Sequence, residues 1–495
     1  MNFLFNALTE RALNRGQEKA ITSGKLSVDN ASLLNRVDRL ATELSAFHFQ
    51  CIALYMDNCI DWIIADLAAM KLGITVIPIP LFFSQGQVQH LIQDAGIEAV
   101  LCQEFDSKLF NIKDRVALNS IQLVLLDNSQ QPDISQLNKV AKITYTSGST
   151  GQPKGVCLSV NNIENVCLAL ANTLADQGIK RHLCIMPLAT LLENIAGVYV
   201  PLIMGNCIQV EPLSELGFQQ SSQFDAIQFA TCIERCQPDS LILLPQLLKS
   251  VIQLKQANPN YFNSLKFAAV GGGKSAQSAL EQAHQLGLPV YEGYGLSECA
   301  ATVSLNTPLH NKPGSVGKVL SHTQVRIDQS GEIIVSGQTM LGYLHQDDLN
   351  RSQQAEVHTG DLGYIDDEGY LYISGRRKNL LVSSFGRNIA PEWVESELSQ
   401  SPLVSQVAIF GDAKPYISAI ITPQENVTDG QIQALLETLN KNLPDYAQVK
   451  GWIRSKEAFS TQNQLLTDNG RIRRDFILKA YEEAFEKLYI TAQSA

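Results

Sequence analysis

The sequence predicts an α/β protein with a large N-terminal domain of stacked α/β sheets, a small β-rich subdomain and a small, mobile α+β C-terminal domain. Three observations lead to this prediction. The chain has 495 residues, more than one hydrophobic core usually supports. Apolar runs that end at Gly or Pro alternate with helix-like stretches through residues 1–370. From about residue 316 the runs become shorter and resemble antiparallel strands. We place the N-terminal domain at 1–375 and the C-terminal domain at 376–495.

The first part of the chain shows the strand–helix alternation most clearly. CIALYM (51–56) is predicted to be a strand, DWIIADLAAMKLG (61–73) a helix, and ITVIPIP (74–80) the next strand. Four later apolar runs are also predicted strands, each followed by a helix-like stretch: HLCIMPL (182–188), SLILLP (240–245), LKFAAVGGG (265–273) and LPVYEGYG (288–295). This order favours sheets covered by helices.

The β-rich subdomain is predicted from short strands that turn signals such as DQSG and DDEG separate. These strands are SVGKVL, TQVRID, GEIIVSG and GYLYISG. A smaller α/β unit begins after SGRRKN (374–379), with strands predicted at VSQVAIFG and YISAIIT. Its last helix is predicted to run through RRDFILKAYEEAFEKLY, with an apolar face formed by Phe476, Ala480, Tyr481, Ala484 and Leu488.

Composition indicates a globular protein and argues against one class of binding partner, nucleic acids. Apolar residues make up 45% of the chain and charged residues 18%, which argues against disorder. The net charge of −11 argues against nucleic-acid binding. We expect a cytoplasmic protein without a transmembrane segment, although peripheral membrane contact is compatible with the sequence. The ten cysteines, from Cys51 to Cys299, lack zinc-site spacing, and we expect reduced, mostly buried thiols.

A glycine- and hydroxyl-rich loop, TYTSGSTGQPKG (144–155), is typical of segments that hold phosphate. It is not a Walker A loop, because Pro153 precedes Lys154 and Gly155 follows it. A second segment, AAVGGGKS (268–275), has the Gly-Lys-Ser end but has Ala268 where the first glycine belongs. Composition alone also fits an ordinary surface turn.

Five segments together resemble the AMP-forming acyl- and aryl-CoA synthetases, adenylation domains and luciferases. They occur in that family's order and span most of the chain: YTSGSTGQPKG (145–155), YEGYGLSE (291–298), HTGDLGYIDDEGYLYISGR (358–376), GRRKNLLVSSFGRNIAPEWVESEL (375–398) and LLTDNGRIRRDF (465–476). Within the family, MPLATLLENIAGVYVPLIMG looks most like the long-chain fatty acyl-CoA ligases. The resemblance implies an acid–thiol ligase that uses ATP, Mg²⁺ and CoA. Such an enzyme activates a medium- or long-chain fatty acid as acyl-adenylate and then forms the thioester.

The resemblance also implies roles for individual residues. The β- and γ-phosphates of ATP would be held by Thr146, Ser147, Gly148, Ser149, Thr150, Gly151 and Lys154. The adenine and the acyl carboxylate would lie against Gly272, Gly273, Gly293, Tyr294 and Gly295. Ser297 would reach the α-phosphate, Glu298 would ligate Mg²⁺, and Asp361, with its partner Arg376, would bind the ribose. Lys378 stands at the family's hinge position. Lys154, Glu298 and Arg471 are the predicted catalytic residues.

Two departures from the family pattern keep alternatives open. Arg471 follows Gly470 where the family has lysine, and Thr190 stands where long-chain relatives often have histidine. One alternative is a ligase that delivers the same adenylate to an acyl carrier protein. Another is a weakened homologue that binds nucleotide or adenylate without efficient turnover, which the Arg471 substitution favours.

Overall fold

The chain folds into two α/β units, a large N-terminal one and a smaller C-terminal one. The computed structural model describes residues 2–104, 109–127, 137, 139–146, 154–220, 223–345, 356–384, 388–467 and 470–491. The α-helices of these residues are α1 (Asn2–Asn14), α2 (Asn30–Ser45), α3 (Ile60–Lys71), α4 (Gln85–Asp94), α5 (Val160–Leu174), α6 (Val200–Met204), α7 (Ala226–Cys236), α8 (Pro245–Ala257), α9 (Gln277–Gln285), α10 (Pro391–Ser399), α11 (Asp429–Asn440), α12 (Arg474–Ala480) and α13 (Glu482–Thr491).

Two large sheets form the N-terminal unit. The nine-stranded sheet has, in spatial order, β18 (Lys318–Val319), β17 (Ser304–Leu305), β16 (Val290–Tyr294), β15 (Phe267–Val270), β14 (Ser240–Leu243), β10 (Arg181–Cys184), β11 (Cys207–Val210), β1 (Lys19–Ser23) and β2 (Leu26–Asp29). The eight-stranded sheet has β21 (Gly342–Tyr343), β9 (Lys154–Leu158), β8 (Lys142–Thr146), β4 (Thr75–Pro78), β3 (Cys51–Tyr55), β5 (Ala99–Cys102), β7 (Ile121–Leu126) and β6 (Ile112–Leu118). The central strands of both sheets are parallel and the outer ones antiparallel.

The smaller sheets complete the fold. A four-stranded antiparallel sheet contains β19 (Thr323–Ile327), β20 (Glu332–Gly337), β22 (Val357–Ile365) and β23 (Leu371–Arg376). The C-terminal unit is built on β26 (Val404–Phe410), β27 (Ile417–Pro423) and β28 (Val449–Arg454). Two hairpins pair β12 (Phe218–Gln220) with β13 (Gln223–Phe224) and β24 (Leu381–Val382) with β25 (Asn388–Ile389).

Local sequence explains where several helices begin and which face they bury. Ser84 and Ser159 form capping boxes at the N-termini of α4 and α5, so their hydroxyls satisfy free backbone N–H groups. Helix α2 buries one stripe against the core: Leu33, Val37, Leu40, Ala41 and Leu44. The largest apolar core contains side chains from both large sheets and the helices between them, and it therefore joins the two sheets into one body.

A fully buried polar cluster also links the two large sheets. The Lys142 ammonium on β8 contacts Asp66 Oδ1 at 2.7 Å and the Tyr199 hydroxyl at 2.9 Å. The Asn194 amide donates to Asp66 Oδ2 at 2.9 Å. Asn194 and Tyr199 belong to a π-helix, Glu193–Tyr199, that follows β10 in the chain. Since each partner is hydrogen-bonded, the buried charges are compensated.

The predicted strands are present, but the predicted last helix is wrong in two respects. The segment forms two helices, α12 and α13, with a break at Tyr481. The buried stripe is Ile477, Tyr481, Phe485 and Tyr489, whereas Phe476 is exposed. The predicted stripe has the same four-residue spacing as the buried one but is displaced from it by one residue, and of its members Tyr481 is buried as predicted.

The ten cysteines are free thiols, and eight of them are buried. Among the described residues, no helix is long and apolar enough to cross a membrane.

Candidate active site

A cavity of about 1430 Å³ opens at the carboxyl ends of the parallel strands. Its wall includes the segments that follow β10, β14, β15 and β16, and the end of β8 in the other large sheet. Ligands of open α/β sheets bind at this position, because the loops there converge and backbone groups at strand ends remain free. The cavity is therefore the candidate active site.

The start and the end of the predicted phosphate loop lie on this cavity. Thr146 and Lys154 are paired across the antiparallel hairpin of β8 and β9, and both contribute to the wall. The hairpin register brings the lysine beside the threonine. The loop residues Ser147, Gly148, Ser149, Thr150 and Gly151 lie outside the described residues.

Glu298 lies on the cavity wall, where it contacts Tyr343, and the Tyr343 ring in turn lies near Lys154. The Tyr343 hydroxyl donates a 2.8 Å hydrogen bond to Glu298 Oε1. The Lys154 ammonium lies 5.5 Å from the centre of the Tyr343 ring, within cation–π range. Ser297, the preceding residue, also lines the cavity. Tyr343 was missed by the sequence analysis, because its position beside Glu298 depends on tertiary contacts: β21 pairs with β9, and Met340 N donates to Glu298 O at 2.7 Å.

Polar contacts connect three of the predicted site residues: Tyr294, Asp361 and Arg376. The Tyr294 hydroxyl donates to Asp361 Oδ2 at 2.7 Å, and Arg376 Nε lies 2.7 Å from Asp361 Oδ1. Asp361 and Arg376 are register partners on β22 and β23, which explains the pairing. Burial and the Asp361 carboxylate raise the pKa of Tyr294 well above its usual value, so this hydroxyl remains a donor. Tyr294 and Arg376 line the cavity, whereas the buried Asp361 between them is not part of its wall.

The glycine segments bring backbone close to the cavity. Gly272, Gly293 and Gly295 line the wall, whereas Gly273 is not part of it. A Cβ on Gly295 would lie 1.7 Å from the Ala301 carbonyl oxygen, so only glycine fits there. Thr302 follows Ala301, and its buried hydroxyl has no hydrogen-bond partner among the described residues. This hydroxyl is available to a bound ligand and was missed by the sequence analysis.

Arg471 reaches the same cavity from the C-terminal unit. It lies in a turn in which Gly470 has φ +72° and Thr467 Oγ1 accepts from Arg471 N at 3.0 Å. Arg471 and Gly470 both line the cavity. Desolvation and the neighbouring Arg376 charge lower the pKa of Arg471, and the Asp361 and Glu298 carboxylates oppose this shift. The guanidinium nevertheless remains charged, because its pKa starts far above neutral pH.

Two basic clusters, Arg376-Arg377-Lys378 and Arg471-Arg473-Arg474, contribute residues to the cavity wall, and most of their cations have protein partners. Arg474 pairs with Glu395 at 2.7 Å, and Arg473 stacks on the Phe476 ring at 3.5 Å. Arg377 pairs with Glu332 at 3.1 Å. Lys378 lines the cavity, whereas Lys274 lies in the loop before α9 and donates to a backbone carbonyl at 3.2 Å. Arg376, Arg377, Lys378 and Arg471 all line the cavity, and among the described residues only Arg376 and Arg377 of these four have an ion-pair partner.

Beyond the glycines, the cavity continues along one face of the nine-stranded sheet. Phe267, Ala269 and Gly271 on and after β15 face it, as alternate strand positions do. Gly271 lies four positions after Phe267 in the sequence. At about 3.3 Å per strand residue, this separation is roughly 13 Å. The opposite wall is apolar and includes Leu170, Leu174, Ile179, Leu192, Val200 and Met204.

One buried polar network interrupts this apolar channel. His182 Nδ1 lies 2.9 Å from Ser240 Oγ, and His182 Nε2 lies 3.3 Å from Glu193 Oε1. The other Glu193 oxygen accepts from Met186 N at 3.0 Å. Sequence analysis did not identify this network, because it depends on the pairing of β10 with β14.

The sequence matches two protein-family models. Residues 8–344 match the AMP-binding enzyme family, and residues 378–493 match the AMP-binding enzyme C-terminal domain. A long-chain-fatty-acid–CoA ligase, FadD15, from Mycobacterium bovis is 26% identical over 86% of this chain and 81% of its own. A 2-succinylbenzoate–CoA ligase from Bacillus subtilis is 26% identical over 82% of this chain and 84% of its own.

Solved structures have the same fold. The o-succinylbenzoate CoA synthetase from Bacillus subtilis, in complex with its acyl-adenylate intermediate, superposes with a TM-score of 0.76 and 23% identity, covering 95% of this chain and 97% of that one. An anthranilate CoA ligase in complex with anthranoyl-AMP gives a TM-score of 0.78 at 17% identity, with 96% of each chain covered. Because the first family model alone matches more than half of the sequence, the chain belongs to the AMP-binding enzyme family.

Proposed function

We propose that the protein is an AMP-forming acyl-CoA ligase that activates a medium- or long-chain aliphatic carboxylic acid. The observation that carries this proposal is the continuity of the cavity. Its polar end has Lys154, Glu298 and Arg471, and its other end is an apolar channel that reaches Phe267. The name of the FadD15 relative supports an aliphatic acid, whereas other relatives are named for an aromatic acid.

The proposed reaction needs alignment and charge compensation more than proton transfer. A carboxylate oxygen attacks the α-phosphorus of ATP, and the bond to pyrophosphate breaks. A thiol sulfur then attacks the acyl carbon, and AMP leaves. The carboxylate is already a nucleophile, so cations and hydrogen-bond donors at the phosphates are the main requirement. Arg471 and Lys154 supply the charge, and the Thr302 hydroxyl is a donor toward the substrate.

The residues also suit Mg²⁺. Glu298, Ser297 and Thr146 present oxygen atoms on the same cavity wall, which is the ligand chemistry this hard cation prefers. When bound, Mg²⁺ neutralises phosphate charge. Tyr343 orients the Glu298 carboxylate through its 2.8 Å hydrogen bond.

A panel of acids tests the proposal. The protein is incubated with ATP, Mg²⁺, CoA and one acid at a time, drawn from aliphatic acids of six to eighteen carbons, 2-succinylbenzoate and anthranilate. We expect AMP, pyrophosphate and thioester with the longer aliphatic acids. Formation of ADP and phosphate would refute AMP-forming chemistry, and turnover of the aromatic acids alone would refute the substrate class.

The same panel distinguishes the acceptors. CoA and a holo acyl carrier protein are offered in competition, and we expect transfer to CoA. Preferential transfer to the carrier protein would instead favour an acyl carrier protein ligase. Absence of pyrophosphate release with every acid would favour a homologue that binds nucleotide without turnover.

A further inference from the structure

Lys249 of the N-terminal unit contacts the C-terminal unit in a specific way. Its ammonium donates to three backbone carbonyl oxygens: Ser399 at 2.9 Å, Ser401 at 2.8 Å and Val404 at 3.2 Å. Lys249 lies on α8, and the three acceptors lie in the C-terminal unit. One side chain therefore uses its three N–H donors across the boundary between the units.

The acceptors explain why a cation is favourable here. Ser399 is the last residue of α10, and Val404 is the first residue of β26. The last carbonyls of a helix have no partner within the helix, and they carry the negative end of its dipole. Lys249 thus caps a helix of the other unit. A second contact between α9 and α10 is weaker, with Ser278 Oγ 3.2 Å from Glu397 Oε2.

Helix α10 is in turn bonded to the segment that carries Arg471. Arg474 forms a two-point ion pair with Glu395, which lies in the middle of α10, and one of its bonds is 2.7 Å long. Glu395 also accepts from Ile409 N at 2.7 Å. Arg474 begins α12, three residues after Arg471. Contacts therefore connect Lys249, α10 and the Arg471 turn without interruption.

We propose that Lys249 is a positioning residue for adenylation, which holds the C-terminal unit in the orientation that places Arg471 in the cavity. The proposal rests on the proposed function, since it assigns Arg471 to the adenylation step. Loss of the three bonds allows α10 to move, and Arg471 moves with it. Thiol transfer from preformed acyl-adenylate does not need Arg471 in this position and should not slow.

The test compares Lys249→Met with Lys255→Met. Lys255 is the matched control, because it is on the same helix and its ammonium also makes three bonds. Its acceptors, Pro259 O, Tyr261 O and Asn263 Oδ1, all lie within the N-terminal unit. Single-turnover rates of adenylation and of thiol transfer are measured separately. Amide hydrogen exchange of α10 is followed by mass spectrometry as a readout that does not depend on activity.

We expect Lys249→Met to slow adenylation about 10- to 100-fold, as the loss of a charged hydrogen bond predicts. Thiol transfer should be unchanged and exchange in α10 faster. Lys249→Arg, which keeps the charge, should lose less adenylation than Lys249→Met. Lys255→Met should alter neither the ratio of the two rates nor the exchange of α10.

Two outcomes overturn the proposal. The first is an adenylation rate in Lys249→Met that equals that of the parent. The second is an equal loss of rate in both half-reactions. If the parent forms no adenylate with any acid, the proposed function fails, and hydrogen exchange alone decides whether Lys249 holds α10. If amide hydrogen exchange of α10 were then unchanged in Lys249→Met, the proposal that Lys249 holds α10 in place would be overturned as well.

Discussion

At the scale of single residues, Arg471 is the most informative side chain of the site. It preserves the positive charge of the lysine that the family has here, but a planar fork replaces a compact ammonium. Its neighbours Asp361, Glu298 and Arg376 all influence its pKa, so its electrostatic environment is that of the cavity. Arginine therefore retains the positive charge of the lysine, but its different shape changes how that charge is aligned with the substrate.

Arg471→Ala should impair adenylation much more than thiol transfer from preformed acyl-adenylate. The physical reason is that the lost charge faces the phosphates in the first step only. A loss of about 10²-fold is expected from misaligned substrate. Arg471→Lys should retain or raise the adenylation rate. Single-turnover kinetics of parent, Ala and Lys forms provide the measurement, and intact adenylation in Arg471→Ala would show that the catalytic assignment is wrong.

Glu298→Gln tests the metal assignment. The amide keeps the size of the side chain and can still accept from Tyr343, but it removes the negative charge that a cation needs. We expect a rate loss of about 10²–10³, steepest at limiting Mg²⁺. Tyr343→Phe is the companion variant, because it removes only the orienting hydroxyl and should cost less. If Glu298→Gln turned over like the parent at limiting Mg²⁺, another residue would have to hold the metal.

Glu292 predicts a pH dependence of stability. It is buried on β16, and burial raises its pKa to about 7, although the Ser275 N–H and Lys274 oppose the shift. An unfolded glutamate titrates near pH 4.3. The buried carboxylate therefore destabilises the fold increasingly as pH rises from about 4.3 to 7 and by a constant amount above.

Glu292→Gln should remove this penalty. The expected gain in the free energy of unfolding is about 4 kcal/mol at pH 8 and close to zero below pH 4. Denaturant unfolding at several pH values measures it, and Glu10→Gln, at an exposed position, is the control. A gain that does not change with pH would mean that the Glu292 carboxyl titrates at the same pH in the folded and the unfolded chain, so that its pKa is not raised by burial.

At the scale of elements, the strand face that begins at Gly271 determines the channel. Ala269 lies between Gly271 and Phe267 on this face, and its neighbours across the sheet are Ile242 and Tyr291. A larger side chain at this position would shorten the channel to roughly 7 Å, the length of two strand residues. Chain length of the substrate should therefore depend on residue 269.

Ala269→Phe should shift the preference toward short acids. We expect kcat/KM for a sixteen-carbon acid to fall at least about 10-fold relative to a six-carbon acid, since the longer tail loses buried apolar area. Ala269→Val is a milder form of the same change. An unchanged ratio in both variants would indicate that the acyl tail follows another wall of the cavity.

At the scale of the whole molecule, the hinge that we propose between the two units is a short 3₁₀ segment, Arg377–Asn379, that contains Lys378. Lys378→Pro fixes φ at this position and restricts the preceding residue. We expect the two half-reactions to be affected unequally, because one orientation of the units is trapped. Separate rates for adenylation and thiol transfer test this, with Lys378→Ala as the control. Equal losses would argue for misfolding or for a hinge elsewhere.

Local patterns in the sequence determined the family and the strands, and they pointed to several segments that the structure brings to one cavity. CIALYM and DWIIADLAAMKLG are a strand and a helix as predicted, because apolar periodicity and end signals are local properties. The motif segments around Thr146, Lys154, Tyr294 and Glu298 meet at one cavity, because they follow strands whose ends converge.

Only the tertiary structure decided which distant residues become partners. Three such pairs are far apart in the sequence. Tyr343 and Glu298 are 45 residues apart, and Ser240 and His182 are 58 residues apart. Lys249 is about 150 residues from the end of α10. No local pattern encodes such pairs, since they depend on strand register and on how the two units dock. The face that α12 and α13 bury was also decided by tertiary packing: Ile477, Tyr481, Phe485 and Tyr489 pack with Ala408, Phe410 and Ile420 of the C-terminal sheet.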